Sequence, residues 1–414
     1  MFDFKNTFRA LRSRNFRLFF IGQGVSLIGT WMQRVAMSWL VYRLTDSAYL
    51  LGIVGFASHI PIFILAPFAG VLIDRYDRKK ILMITQTVQM LQAFLLAYLS
   101  LTGQIQVWQL ISLSFVLGVA SAFDIPSRQS FYVQMVRSKD DVSNAIALNS
   151  TSFHIARFAG PSLAGLAIAF LGEGICFLLN GFSYVVVIAA LQAMKIKALN
   201  LEDRTRKIYD EFKEGVQYVV ESAAIKKILL LVASMSLFGS GYMILLPIFA
   251  KDILGGGPLT LGLLTSFTSV GALVSSFYIA SWKKIDGAEN SAIFFGLLFG
   301  AAIILFAFSN LLAVSVFLIA FAGAGMMGHN ASINSLIQNL TTEEKRGRVM
   351  SLYTFSHQGI MPFGELLLGL LAGLWGGGNA IFLSGIFSMF SILIFGPALV
   401  SALKTRKAGI LKEA

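Results

Sequence analysis

The chain has 414 residues, 56% hydrophobic and 13% charged, with a formal net charge of +12 and a mean hydropathy of +0.74. Soluble domains carry about 25% charged residues, so the composition excludes an ordinary water-soluble globular chain. The basic residues are spread over short connections and form no single stripe, which excludes a nucleic-acid-reading surface, and the lone Cys176 rules out an internal disulfide or a cysteine-based metal set.

The sequence alternates long apolar runs with short polar connections. A hydrocarbon core about 30 Å thick is crossed by about 20 apolar residues in a helix. Water is absent there, so each backbone polar group must be satisfied internally, which leaves only helices and closed barrels. Unbroken runs select helices, because barrel strands alternate over about ten residues. Six spans are predicted from Arg17 to Tyr42, Tyr49 to Ile73, Lys79 to Leu101, Val107 to Gln134, Val142 to Leu171 and Gly174 to Met194. A polar stretch follows from Lys195 to Lys227, in which Ile208, Phe212, Val216 and Val219 or Val220 recur at helical spacing and predict an amphipathic helix on the membrane face. Six more spans run from Ile228 to Ala250, Pro258 to Trp282, Ala288 to Phe308, Leu311 to Leu340, Gly347 to Leu374 and Asn379 to Leu403. The expected organisation is a first bundle over 1–194, a linker over 195–227 and a second bundle over 228–414.

Orientation follows from lysine and arginine, which stay cytoplasmic in short loops. One side holds 28 of the 33 basic residues, including the arm with Lys5, Arg9, Arg12 and Arg14, the loop with Arg75 and Lys80, and both ends of the chain. Both termini are therefore predicted on the cytoplasmic side of a bacterial inner membrane. The basic arm is not read as a signal peptide, since no small-residue cleavage site follows and the first span is too long for a signal core.

The sequence also repeats. Residues 134–172 can be laid on 338–376 at a constant offset of 204, pairing Leu148 with Leu352, Ser152 with Ser356, Gly160 with Gly364, Gly165 with Gly369 and Gly172 with Gly376. Two six-helix halves in parallel orientation are the expected product.

Between the second and third spans stands Gly70-Val71-Leu72-Ile73-Asp74-Arg75-Tyr76-Asp77-Arg78-Lys79-Lys80. On the fifth span lies Gly160-Pro161-Ser162-Leu163-Ala164-Gly165. With Asp124-Ile125-Pro126-Ser127-Arg128-Gln129, Asn144-Ala145, Cys176 to Asn180 and Gly347-Arg348-Val349, these make the chain resemble the major facilitator superfamily. Within it, the chain is similar to the branch of the bacterial enterobactin exporter and of macrolide and multidrug efflux proteins. The resemblance implies an all-α membrane protein of twelve transmembrane helices in two pseudo-symmetric six-helix bundles, working by alternating access around a central cavity. It implies a latch in which Asp74, with Arg75 or Arg78, faces the start of the span after Gly347 and holds the outward-open state; the other reading is that these basic residues, above all Lys79 and Lys80, only anchor topology. Asp77 stands where the loop signature usually has glycine, which puts a tight turn there in doubt. The Gly160-Pro161 core is similar to a motif of the superfamily's exporters, in which small residues and a bend seal one face of the cavity; packing alone is the alternative.

Charges inside spans are costly and usually face a cavity or a partner. Counting about 1.5 Å per residue, Arg34, His59 and Glu365 lie at similar depths and are expected to form an outer-half cluster. Protonation of Glu365 beside Arg34 would change the balance between the halves; a permanent structural ion pair is the other reading. Arg157, His154 and Ser150 share one face of the fifth span. A cation there suits an anionic substrate such as a siderophore, or neutralises Asp124. Arg128, four residues beyond Asp124, is its local partner, and the two are read as an inner gate. Gln23, Ser26, Thr30 and Gln33 or Arg34 form a polar stripe expected to face a water-filled cavity. His329, Asn330 and His357 are read as packing residues, with contact to substrate as the alternative, and Trp31 and Trp39 as rings available to an aromatic ligand.

The sequence holds no nucleotide-binding Gly-Lys-Ser/Thr loop, no His and Cys set of zinc type and no serine nucleophile elbow. The expectation is no enzyme, no cofactor and no metal. It is instead a monomeric transporter whose partners are a small-molecule substrate, protons and membrane lipids. The first function predicted is proton-coupled export of a siderophore or an amphipathic drug-like molecule. A lipid or lysolipid flippase of the same fold and a non-transporting receptor or scaffold are the alternatives.

Overall fold

A computed structural model describes residues 7–196, 216–282 and 287–413. Its long helices are α1 (Arg14–Thr45), α2 (Ala48–Arg75), α3 (Arg78–Leu101), α4 (Val107–Met135), α5 (Val142–Leu171) and α6 (Glu173–Ala193). They continue with α7 (Ala223–Ile253), α8 (Pro258–Ala280), α9 (Ala288–Ala307), α10 (Leu312–Leu340), α11 (Glu343–Trp375) and α12 (Gly377–Glu413). Among the described residues no strand occurs. Eleven of these helices are long and apolar enough to cross a membrane. The one outside that set is α1, whose 32 residues suffice in length but carry the polar stripe and four arginines at Arg14, Arg17, Arg34 and Arg43.

Two rods are locally irregular where the sequence removes helix hydrogen bonds. In α7 the Gly239-Ser240-Gly241 stretch opens a 3-10 segment over Ser240–Leu245, and a π-turn over Phe249–Ile253 follows Pro247. In α11 a π-turn over Phe355–Gly359 precedes Pro362. That helix starts at Glu343, before the expected Gly347, because Glu343 and Glu344 place negative charge in its first turn. The predicted amphipathic helix lies mostly outside the described residues; of it, residues 216–221 are helical.

The chain forms two compact units. One comprises Met1–Asp46, Ala57–Arg204 and Gly256–Ser266, the other Ser47–Phe56, Thr205–Gly255 and Phe267–Ala414. In the first, α1 packs on α5 and α6, and α3 on α4 and α6. In the second the same four pairings recur six helices later, α7 with α11 and α12, and α9 with α10 and α12. The backbone repeats too. Gly172, between α5 and α6, has φ 82° and ψ 168°, and Gly376, between α11 and α12, has φ 86° and ψ 155°. This region is open essentially to glycine alone, so the 204-residue offset carries a turn geometry as well as a letter.

The first unit is closed at its N-terminal end by side chains that fasten the arm. Asn144 accepts from the Ala10 N–H (3.0 Å) and donates to the Thr7 carbonyl (2.9 Å), Arg9 pairs with Asp141 (3.3 Å), and Ser13 accepts from the Arg137 N–H (2.9 Å). Beneath them Phe16, Phe19, Leu82, Phe131, Met135 and Leu191 form a buried core. Near the opposite ends of α1 and α6, Arg43 grips Glu173 with both nitrogens, at 2.7 and 3.3 Å.

Candidate functional site

Gly160 of α5 stands against α1 so closely that a Cβ placed on it would lie 2.5 Å from Trp31 Cβ and 3.1 Å from the Ile28 carbonyl. A helix can come this near only over a residue without a side chain. The approach brings the Trp31 ring beside α5. The Arg157 guanidinium, one turn earlier on that helix, lies 5.8 Å from the ring centroid. Arg34, one turn further along α1, lies 5.0 Å from the same ring. Phe153 meets Trp31 edge-on at 5.9 Å, and His154 stands edge-on to Phe153 at 5.8 Å. One indole thus carries two guanidiniums on a helix pair inside the membrane, each contact of a kind worth about 0.5–2 kcal/mol. Arg34 is exposed, and Trp31, His154 and Arg157 are half-buried.

The polar stripe of α1 differs from its expectation. Thr30 pairs with the Tyr184 hydroxyl at 3.3 Å, but Gln23, Ser26 and Gln33 are at most 4% exposed and turn into helix packing, away from any water-filled cavity. Gln33 donates to Gln92 of α3 (2.9 Å) and accepts from Asn180 of α6 (2.7 Å), so three helices share one amide chain. The physical reason is that these neighbours are themselves polar. Ser183 extends the chain by donating to Asn180 Oδ1 at 3.0 Å.

Asp124 is 3% exposed and accepts from Thr85 (3.1 Å) and Gln86 (2.7 Å) of α3, while Arg128 pairs with its other oxygen at 3.3 Å. The two donors from α3 fasten it to α4, which carries Pro126 in its interior, while the pair with Arg128 is local to α4. In the loop after α2, Asp77 has φ −62° and N-caps α3 by accepting from the Lys79 N–H at 2.8 Å. The aspartate in place of glycine therefore supplies a cap, and its negative φ needs no glycine. Arg78 donates to the Ser130 carbonyl (3.0 Å) and Lys79 to the Met194 carbonyl (2.9 Å) at the end of α6. Lys79 thus ties two helix ends, beyond anchoring topology. Arg75 is exposed; the side chain of Asp74 lies outside the described positions.

The proline-bearing fifth helix has a seat that spacing alone did not reveal. Pro161 lacks an N–H and interrupts the ladder of α5. The Ser266 hydroxyl of α8 donates to the nearby Phe158 carbonyl (2.9 Å) and lies 2.7 Å from Ser162 Oγ. A Cβ on Gly262 would lie 2.7 Å from the Pro161 carbonyl.

In the second unit the 204-residue offset sets Glu365 opposite Pro161, and Gly364 repeats the role of Gly160. A Cβ on Gly364 would collide with the backbone carbonyls of Ser236 and Leu237 on α7. Glu365 is 3% exposed. Its Oε2 would lie 2.9 Å from a Cβ on Gly55, and its Cα 3.3 Å from one on Gly241. The carboxylate thus packs where position 55 carries no side chain, and Gly241 leaves room for the Gly364–Glu365 backbone. Arg34 and His59 belong to the first unit and Glu365 to the second. His329 is fully buried with Nδ1 2.8 Å from the Ala292 carbonyl, and His357 lies 3.1 Å from Asn330 Nδ2, placing both in helix packing.

The profile of the transmembrane secretion effector family, within the major facilitator superfamily, matches residues 5–408. The chain belongs to this family. Its members are transporters, not enzymes, and the protein is an integral membrane transporter of the superfamily's efflux branch, acting on a small molecule. The chain is similar to the Staphyloferrin A transporter of Staphylococcus aureus, 25% identical over 92% of this chain and 95% of that one. It is also similar to Macrolide efflux protein A of Streptococcus pyogenes, 24% identical over 88% and 91%. The crystal structure of the nucleoside transporter NupG shares the fold, with a TM-score of 0.72 at 13% identity, covering 95% of this chain and 100% of that one.

Proposed function

We propose that this transporter exports an anionic small molecule of siderophore type, or an amphipathic drug-like molecule, from the bacterial cytoplasm by alternating access, driven by protons. Both termini lie on the cytoplasmic side of the inner membrane in this reading. The observation that carries it is the Trp31 ring with the guanidiniums of Arg34 and Arg157 at 5.0 and 5.8 Å. Two cations beside one aromatic ring offer a carboxylate or catecholate both charge and an aromatic surface. The similarity to a Staphyloferrin A transporter supports a siderophore cargo, and similarity to macrolide efflux supports the outward direction. Glu365, buried beside Gly55, is the group assigned to carry the coupled proton. Asp74 with Arg75 or Arg78 and the Asp124–Arg128 pair are assigned to gating.

The test compares metabolites retained by a deletion strain with those exported by the complemented strain, followed by uptake of the candidates into inverted vesicles. Arg157→Ala and Arg34→Ala are expected to weaken binding of an anionic substrate by about tenfold each, the scale of one charge-assisted contact, while Arg157→Lys loses part of that because lysine lacks the planar fork. Unchanged transport of every anionic metabolite in the double variant would remove the ring and its arginines from recognition.

A further inference from the structure

In the second unit the first turns of α7 and the Ile394–Phe395 stretch of α12 enclose a groove of about 410 Å³, lined by Ala223, Lys226, Lys227, Leu230, Ile394 and Phe395. Leu230 and Ile394 present apolar surface to it, 45% and 48% exposed. Lys226, one turn before Leu230 on the same face, is exposed at its end. The first turn of α7 is capped by Ser222, which accepts from the Ile225 N–H at 3.5 Å, and holds no acidic residue. An ammonium and the positive end of a helix therefore stand at one end of an apolar slot. The stretch before it, Lys195 to Lys227, holds eight basic residues, which sets this end of α7 at the headgroup level of the cytoplasmic leaflet.

We propose that this groove binds one anionic phospholipid of the cytoplasmic leaflet, its phosphate against Lys226 and the first turn of α7 and an acyl chain along Leu230, Ile394 and Phe395. The two ends of the groove match the two ends of such a lipid. Helix N-termini and lysines attract phosphate, and the apolar walls exclude a bare hydrated ion. A zwitterionic lipid fits the walls but brings no net charge to the lysine.

The test uses the full chain in nanodiscs of phosphatidylcholine with or without phosphatidylglycerol, reading retained lipid by native mass spectrometry and the thermal midpoint. Phosphatidylglycerol is expected to be retained about fivefold more tightly than phosphatidylcholine, the effect of about one surface lysine on an anionic lipid. Lys226→Gln is expected to remove that preference. Leu230→Trp, which fills the groove, is expected to lose retention of both lipids, and Lys80→Gln, an exposed lysine elsewhere, to keep the preference. An undiminished preference in both groove variants, an equal loss in Lys80→Gln, or displacement of the lipid by soluble glycerol phosphate would overturn the proposal. The last result would make the site one for free anions.

Discussion

Ser266 of α8 donates its hydroxyl proton to the Phe158 carbonyl of α5 at 2.9 Å, three residues before Pro161. The stretch around Pro161 is thus held from outside the helix, by a serine and by the bare backbone of Gly262. Ser266→Ala removes one interhelical hydrogen bond, a loss of about 0.6 kcal/mol on average in membranes. Gly262→Ala drives a Cβ toward the Pro161 carbonyl, a backbone atom that cannot rotate aside, and overpacking of this kind costs about 1–3 kcal/mol. Unfolding titrations in mixed micelles are expected to rank the glycine variant as the less stable of the two. The reverse order would show that the hydroxyl, not the close approach, holds the two helices together here.

The Glu365 carboxyl packs against Gly55, which carries no side chain. If this carboxyl carries the coupled proton, Glu365→Gln in proteoliposomes abolishes pH-driven transport while leaving substrate binding measurable. Gly55→Ala, which intrudes on Oε2, is expected to lower driven transport with the carboxyl intact. Driven transport that survives in Glu365→Gln excludes the residue from coupling.

Arg43 and Glu173 join α1 to α6 through two contacts, and Glu173 is 7% exposed while the arginine is half open to solvent. Arg43→Ala leaves a nearly buried carboxylate unpaired. The expected loss lies between that of exposed and buried pairs, about 1–3 kcal/mol. The double variant Arg43→Ala with Glu173→Ala is expected to regain part of it, since the orphaned charge is gone. Thermal midpoints in detergent measure both, and additive losses would mean the pair is not coupled.

Much of the fold was legible because lipid punishes every unsatisfied backbone group, so the spans announce themselves by length alone. The glycines of the repeat were legible for a different reason, as Gly172 and Gly376 need a conformation that other residues avoid. The inside of the bundles was less readable. A polar stripe on α1 has the same periodicity whether it faces water or a polar neighbour. Gln92 and Asn180, 59 and 147 residues from Gln33, are known as its partners only once the chain is folded. Asp77 looked like a lost glycine and is an N-cap, since an Asp-x-Lys start suits a helix as well as a turn does. The convergence of Arg34 and Arg157 on Trp31 depends on Gly160, whose contribution is an absent side chain and leaves no chemical mark of its own. Gly262 escaped notice for the same reason, and Ser266 because its acceptor lies 108 residues away in the chain.

The amide chain from Ser183 through Asn180 and Gln33 to Gln92 also bears on how the protein enters its membrane. When α1 emerges from the ribosome Gln33 has no partner, and lipid alone is a poor solvent for its amide. Gln92 and Asn180, which bond it in the folded chain, are synthesised later, on α3 and α6. Both bonds of this amide therefore wait until the sixth helix has been made.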